Sequence, residues 1–208
     1  MNLNKLTEKA QEAVMTAQNL ASEFNHSEIV PEHLMVALVE QSGGIVPSVL
    51  RKLTLDPPRV AQEARTLLKT LPQAYGADIR FSPRMKLIFD SAQAEAQRLQ
   101  DEFVSTEHLL LALATEVGRS PAAQLLQRLG ASKDTLYSAM TQVRGNQRVT
   151  SQNPESTYEA LTRYGRDLTD LARKGKLDPV IGRDGRICKT HIGLSVKEHF
   201  DQQIKSLL

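Results

Sequence analysis

The chain has 208 residues, of which 40% are hydrophobic and 24% charged, and a net charge of +2. This composition is typical of a globular protein that can bury a core, and so small a net charge argues against a polyanionic partner. Aromatic residues make up only 4%, so the stacking platforms of many nucleic-acid-binding modules are missing. The single cysteine, Cys188, excludes an internal disulfide and a multi-cysteine zinc site.

Membrane and targeting signals are also missing from the sequence. No apolar run approaches the roughly 18 residues of a membrane-spanning helix. The N-terminal stretch MNLNKLTEKA lacks the apolar core of a signal peptide. We therefore expect a soluble, cytoplasmic, monomeric chain with neither a membrane nor a nucleic-acid partner.

The strongest pattern is an internal repeat with a spacing of 75 residues. It aligns Thr7 with Ser82 and lays PEHLMVALVE, which begins at Pro31, over the phrase STEHLLLALATE in the second copy. One extra residue then makes the spacing 76, so that Leu53 aligns with Leu129. The matches fall on apolar and capping positions, which predicts two copies of one helical unit, 1–72 and 80–145, within a single domain.

Each copy is predicted to contain four helices and no strand, giving an all-α fold of two pseudo-symmetric four-helix units. The first helix begins after the N-cap residue Thr7 or Ser82, and its apolar residues recur at helical spacing. The second helix carries the EHL phrase and ends before Gly43 or Gly118. The third and fourth helices are predicted at 47–53 and 56–71 in the first copy, and at 121–129 and 132–143 in the second.

Three further segments lie outside the helices of the two copies. Residues 72–80 connect the copies. Residues 146–157 contain the polar stretch NQRVTSQNPEST, which has too little apolar surface to offset the entropy of ordering, so we predict a flexible linker. Helical periodicity then returns in YEALTRYGRDLTDLARKGK, within a partial helical segment at 158–184.

The Glu-His pairs of the two EHL phrases raise the question of a metal or acid-base site. A zincin helix needs a second histidine four residues after the first, but Ala37 and Ala112 occupy those positions. A glutamate in a first helical turn interacts favourably with the helix dipole, and a histidine there can act as a cap. We therefore interpret both pairs as structural and predict no metal site.

Phosphate-binding and catalytic motifs are not found either. The nearest phosphate-loop string, RDGRICKT, places Arg183 and Cys188 where the motif requires glycine. No nucleophile elbow or defensible carboxylate pair is present. We predict no catalytic residue, no bound cofactor and no enzymatic activity.

The two copies leave a seam between them that could receive an extended or helical apolar peptide. Each candidate position is by itself more typical of a core or cap residue than of a ligand contact. The candidates lie on the first helices and around the turn before the second EHL helix: Thr7, Val14, Phe89, Asp101, Phe103 and Glu107.

These sequences resemble a known family. EHLMVALVE and EHLLLALATE are similar to the tandem Clp N-terminal (Clp R) repeat, and MNLNKLTEKAQEAVMTAQNLA resembles the start of the ClpB-type disaggregase chaperones. YGRDLTDLARKGKLDPVIGRD resembles the beginning of the first AAA+ domain of Clp ATPases. Together the similarities cover about residues 1–184.

The resemblance implies a compact helical domain on a mobile linker that captures unfolded or aggregated polypeptide for an ATPase ring. The functional threonine and acidic residues of the family match Thr7, Asp101 and Glu107. The segment that lines the adenine pocket in the family matches 178–183 here, including Val180, Ile181 and Gly182.

After Asp184 the chain departs from the family, since GRICKTHIGLSVKEHFDQQIKSLL contains no Walker A or Walker B motif. ATP binding is therefore not expected, and residues 185–208 are expected to be an adventitious tail. Two alternatives stay open: an adaptor-binding N-domain of a protease-associated Clp unfoldase, and an enzyme that uses the Glu-His pairs. A full-length Clp ring or an adaptor is a further expected partner.

Overall fold

The structure, a computed structural model, describes residues 3–116, 120–145 and 147–154. The predicted segment 158–184, the predicted tail 185–208 and the adenine-side residues Val180, Ile181 and Gly182 lie outside the described residues. The described residues confirm the all-α class and the two four-helix copies. The helices are α1 Glu8–Glu23, α2 Pro31–Glu40, α3 Ile45–Lys52, α4 Pro57–Leu68, α5 Pro83–Arg98, α6 Thr106–Ala114, α7 Pro121–Arg128 and α8 Lys133–Arg144.

Local capping determines where the first helix of each copy begins. The Thr7 hydroxyl accepts the Ala10 N–H at 3.2 Å, and the Ser82 hydroxyl accepts the Met85 N–H at 3.2 Å. Both predicted N-caps are therefore confirmed. The helix α3 begins at Ile45, two residues before the predicted start at Pro47. The helix tolerates Pro47 there, because a proline in the first helical turn removes no intrahelical hydrogen bond.

The repeat extends to unusual backbone conformations. Asn25 and Gln100, which are equivalent in the repeat, end α1 and α5 with φ of 55° and 57°. Thr54 and Gly130, also equivalent, have φ of 59° and 76° after α3 and α7. A left-handed residue after a helix lets the following N–H groups reach the last free carbonyls. The two copies therefore share their turns as well as their helices.

Two short strands were not predicted. The strand β1, Glu28–Ile29, pairs in parallel with β2, Arg80–Phe81. At the equivalent place in the repeat, Leu6 forms an isolated parallel bridge with Val104. Two-residue strands are too short to show an alternating pattern in the sequence. Each pairing joins the turn before one EHL helix to the residues before the first helix of the other copy.

These pairings define two equivalent contacts between the copies. We call the contact of residues 5–7 with 102–104 the first seam, and that of residues 80–82 with 27–29 the second seam. In the first seam, the Thr7 N–H donates to the Val104 carbonyl at 3.0 Å, and the Val104 N–H donates to the Lys5 carbonyl at 2.8 Å. The pseudo-symmetry predicted from the repeat thus determines where the copies meet.

The two EHL helices form the centre of one hydrophobic core. Residues 31–39 of α2 and 106–113 of α6 are all buried. The third helix of each copy packs on the fourth helix of the other copy, α3 on α8 and α7 on α4. The core is therefore shared between the copies rather than divided between them.

None of the helices that the structure describes is by itself long and apolar enough to cross a membrane. The pair α2 and α3 satisfies the length and composition together, but the two helices meet at 85°.

Residues 147–154, which we call the strap, were predicted to belong to a flexible linker, but they lie against the first seam. Val149 is fully buried, and its carbonyl accepts the Glu102 N–H at 2.9 Å. The carbonyl of Gln152 accepts the Glu8 N–H at 2.7 Å. Two contacts hold the strap in this position: the buried Val149 side chain, and the Gln152 carbonyl that satisfies a free donor at the start of α1.

Candidate functional site

The Glu-His pairs place their histidines as caps. The His33 Nδ1 atom accepts the Val30 N–H at 3.1 Å, and the His108 Nδ1 atom accepts the Ser105 N–H at 3.0 Å. Each ring therefore satisfies a backbone donor at the start of its helix, as expected of a structural residue. Among the described residues, no group of three or more histidine, cysteine, aspartate or glutamate side chains could hold a metal ion.

Asp101 is the centre of a buried polar cluster beside the first seam. Its side chain is fully buried and accepts a hydrogen bond from His108 Nε2 at 3.1 Å. The Oδ1 atom also accepts from Arg144 Nη2 at 2.7 Å and from the Val149 N–H at 2.8 Å. Since His108 Nδ1 acts as an acceptor, Nε2 carries the ring proton that is donated to Asp101.

The environment keeps Asp101 ionised. Burial alone would raise the pKa of this carboxyl group, but hydrogen bonds from His108, Arg144 and the Val149 N–H outweigh burial. The pKa of Asp101 is therefore lowered from its ordinary value. A permanent negative charge lies beneath the strap.

Glu107 is a second buried carboxylate in this cluster, and it is not held in the same way. Its side chain is fully buried, yet neither oxygen has a hydrogen-bond partner among the described residues. The nearest cation is Arg144, whose Nη1 lies 3.6 Å from Glu107 Oε1 and 2.7 Å from Asp101 Oδ2. A separation of 3.6 Å is too long for a hydrogen bond, so Arg144 is engaged mainly by Asp101.

The repeat supplies an internal comparison for Glu107. Its equivalent in the first copy, Glu32, is equally buried, and Arg84 Nη2 donates to Glu32 Oε1 at 2.9 Å. The repeat equivalent of Arg84 is Lys9, which binds Glu12 at 2.6 Å and the Ser42 carbonyl at 3.1 Å. Lys9 is therefore engaged by Glu12 and Ser42, and it does not pair with Glu107 as Arg84 pairs with Glu32.

The six predicted peptide-binding residues do not form one site. Thr7, Asp101, Phe103 and Glu107 lie around the first seam, where Thr7 contacts Val104 through its backbone. The Phe103 side chain is half-buried, whereas Asp101 and Glu107 are covered.

Val14 and Phe89, which are equivalent in the repeat, lie outside the group around the first seam. Val14 is buried in the core face of α1. Phe89 packs edge-to-face on Phe81 of the second seam, with ring centroids 6.0 Å apart. The structure thus brings four of the six predicted residues together and places Phe89 at the other seam.

Two members of the first-seam cluster were not identified from the sequence. Arg144, in the last turn of α8, links both carboxylates, and its basic position at a helix end is too common to indicate a role. Val149 buries its side chain beside Asp101. The available signal for Val149 was its isolation as an aliphatic residue within a polar stretch.

Comparison with protein families finds one that covers most of the described fold. The model of the Clp repeat (R) N-terminal domain matches residues 5–129. The chaperone protein ClpB of Bacillus cereus is 44% identical over 192 residues, which cover 90% of this chain and 22% of that relative. The chain therefore spans about a fifth of the length of the curated relatives it matches.

Solved structures share the fold at low sequence identity. The Hsp104 N-terminal domain from Candida albicans aligns with a TM-score of 0.64 and 21% identity, covering 73% of this chain and 99% of that one. A ClpV N-domain, solved in complex with a VipB peptide, aligns with a TM-score of 0.56 and 19% identity, covering 67% of this chain and 86% of that one.

Proposed function

The chain belongs to the family of Clp repeat (R) N-terminal domains, and from this premise we propose that it receives polypeptide for a ClpB-like chaperone. Its clients are unfolded or aggregated polypeptides, and its site is the first seam with Thr7, Asp101 and Glu107. We further propose that it acts in the cytoplasm, together with a ClpB-like ATPase ring. The chain itself is proposed to bind no ATP and to catalyse no reaction.

The observation that carries the proposal is the unsatisfied carboxylate of Glu107. A buried carboxylate without hydrogen bonds destabilises a fold by roughly 1–3 kcal/mol or more relative to a satisfied one. The equivalent Glu32 avoids this penalty through Arg84. A polypeptide that brings N–H donors to Glu107 would satisfy both oxygens, which supports a binding role for this residue.

The charge of the cluster indicates what kind of ligand it favours. Asp101 and Glu107 supply two carboxylates, whereas Arg144 supplies one cation. The cluster therefore carries an excess of negative charge and of hydrogen-bond acceptors. Unfolded chains offer backbone N–H groups and basic side chains, which complement such a surface.

The solved complex of the ClpV N-domain with a VipB peptide adds support at the level of the fold. It is a protein of the same architecture that holds a peptide. An adaptor protein is the alternative partner, and the first-seam acidity alone does not favour it over an unfolded client. The choice between them belongs to a binding experiment.

We predict that Glu107→Gln weakens the binding of an unfolded protein by about tenfold, since a hydrogen bond to a charged group contributes about 1.5–3 kcal/mol. The same substitution removes a buried charge with no hydrogen bond, so the free energy of unfolding should stay constant or increase. The probe is fluorescently labelled α-lactalbumin with reduced and carboxymethylated cysteines. Fluorescence anisotropy gives its affinity, and urea denaturation gives the stability.

The matched control is Glu32→Gln, the same change at the equivalent position of the first copy. Because Glu32 is paired with Arg84, this variant should lose stability and keep wild-type affinity for the unfolded probe. Equal affinity of wild type and the Glu107→Gln variant would contradict the proposed site. Tight binding of a folded adaptor with no binding of the unfolded probe would favour the adaptor alternative.

A further inference from the structure

The strap covers Asp101, one of the residues that the proposed function requires. Asp101 is hydrogen-bonded to the Val149 N–H, and the Arg144 guanidinium donates to the Gln147 carbonyl. With the strap in place, the side chains of Asp101 and Glu107 are fully buried. A client polypeptide cannot contact the Asp101 carboxylate until the strap has left.

The strap binds through its main chain at a tight turn centred on Val149, where the Thr150 N–H donates to the Arg148 carbonyl at 3.1 Å. The Val149 N–H donates to Asp101, and the Val149 carbonyl accepts from the N–H groups of Glu102 at 2.9 Å and Phe103 at 3.4 Å. Next to Phe103, Val104 pairs with Leu6. The strap is therefore held by main-chain hydrogen bonds and by one buried aliphatic side chain, both of which a client polypeptide can supply.

The second seam shows that this cover is not a requirement of the fold. The connector between the copies is the repeat equivalent of the strap, and its Ala74 N–H donates to the Asn25 carbonyl at 2.7 Å. Gln73, the repeat equivalent of Val149, is exposed. Of the two connecting segments that the structure describes, the strap buries an aliphatic residue over its seam, and Gln73 in the connector does not.

We propose that the strap is an internal ligand of the first seam and that client polypeptides compete with it for the Asp101 site. The inference rests on the proposed function and specifies its ligand. The preferred client segment has an aliphatic residue in the place of Val149 and a basic residue before it. The basic preference follows from Arg148, whose guanidinium donates to the Gln100 carbonyl at 2.8 Å.

The decisive variant is Val149→Asp in the full chain, because a further carboxylate buried beside those of Asp101 and Glu107 would release the strap. Affinity for the unfolded α-lactalbumin probe should increase about tenfold, as expected if the strap is docked about nine-tenths of the time. The matched control is Thr150→Asp, the same new charge on an exposed neighbouring side chain. This control should retain wild-type affinity.

A synthetic peptide of residues 145–154, GNQRVTSQNP, tests the ligand chemistry directly. The peptide should bind the Val149→Asp chain and displace the unfolded probe from it. A peptide that carries the Val149→Asp change should do neither. Displacement by both peptides alike would overturn the assignment of Val149 as the recognised residue.

A reversible disulfide between the strap and α1 tests the inference in the opposite direction, by holding the strap in place. Asn153 Nδ2 lies 3.1 Å from Glu8 Oε2, so we pair Glu8→Cys with Asn153→Cys in a Cys188→Ser background. Oxidation should reduce affinity for the unfolded probe about tenfold, by further depleting the open population, and reduction should restore it. Unchanged affinity on oxidation, with the disulfide confirmed by mass, would overturn the inference.

The two proposals fail in different ways. If Glu107→Gln weakens binding while Val149→Asp has no effect, the first seam is the client site but the strap does not compete for it. If Glu107→Gln has no effect, the proposed site itself is wrong. Loss of binding in the Val149→Asp chain with native hydrogen exchange in α1 and α6 would overturn the competition between strap and client.

Discussion

The two EHL histidines make the same cap but meet different partners. His108 donates its ring proton to the carboxylate of Asp101. His33 Nδ1 accepts a backbone N–H, so His33 Nε2 carries the proton and donates to His26 Nδ1 at 2.8 Å. Protonation of His26 at Nδ1 would place two protons between the rings. The His26–His33 pair is therefore stable only when both rings are neutral.

This geometry predicts acid sensitivity of the first copy. Burial, followed by the neighbouring His26, lowers the pKa of His33 from 6.5 to about 4. Between these values the unfolded chain binds a proton that the folded chain does not. Stability is therefore complete above pH 6.5 and is lost as the pH falls toward 4, by roughly 3 kcal/mol at most. Urea denaturation between pH 7 and pH 4 measures this loss.

The control is His26→Asp, which recreates in the first copy the histidine–carboxylate pair of the second. The pKa of His33 should rise in this variant, and the loss of stability over the same pH range should become smaller. A histidine titration followed by NMR distinguishes the two proteins. An unchanged His33 titration in the His26→Asp variant would exclude the direct coupling between the rings.

At the scale of single elements, the turns after α3 and α7 have the same left-handed backbone conformation but different residues. Gly130 ends α7 with φ of 76°, and the equivalent Thr54 ends α3 with φ of 59°. Glycine enters this region without steric cost, whereas a β-branched residue is strained there. A Cβ added at Gly130 would meet no atom within 4 Å, so the backbone conformation alone determines the cost.

We predict that Thr54→Gly increases the free energy of unfolding by about 1 kcal/mol, because it relieves the left-handed strain at an exposed position. The reciprocal change, Gly130→Thr, should lower it by about 1 kcal/mol or more. Thermal or urea denaturation of both variants measures the pair. A destabilised Thr54→Gly protein would show that the hydrogen bond from the Thr54 hydroxyl to the Leu53 carbonyl outweighs the strain.

At the scale of the whole domain, ion pairs of very different burial join the copies. Arg84 of the second copy binds Glu32 of the first and Glu116 of its own copy, and both carboxylate side chains are at most 4% exposed. Arg128 also reaches across the copies to Glu63, but its side chain is 70% exposed. Because the Arg84 side chain is 37% exposed, solvent screens its contacts in part, and it screens the Arg128–Glu63 contact much more.

Arg84→Ala should therefore lower the free energy of unfolding by about 3–5 kcal/mol, because it leaves two buried carboxylates without their partner. Arg128→Ala, a deletion of the same side chain at an exposed contact between copies, should lower it by less than about 1 kcal/mol. Urea denaturation compares the two. Equal losses would show that burial of Glu32 and Glu116 is not what makes Arg84 important.

Much of the fold could be predicted from the sequence, and the reasons are local. Thr7 and Ser82 indicate where helices begin, because their hydroxyls accept hydrogen bonds from N–H groups three residues later. The prediction that neither EHL helix is a zinc-binding helix needed only Ala37 and Ala112, which stand where a second histidine ligand would be. In contrast, the pairing of Leu6 with Val104 joins distant residues over a length too short to give a pattern. The contacts of the strap with the first seam likewise leave no pattern in the sequence, because the segment is polar except for Val149.

By itself, the sequence determined the helical class, the duplication, the helix starts and the family resemblance, since each depends on residues close together or on a repeated pattern. The tertiary structure alone decided which carboxylates of the repeat are satisfied and what covers them. Glu32 and Glu107 are equivalent in the sequence, but Arg84 clamps only Glu32. Asp101 is covered by Val149, 48 residues away. Such contacts depend on the packing of distant segments, which periodicity and capping signals do not encode.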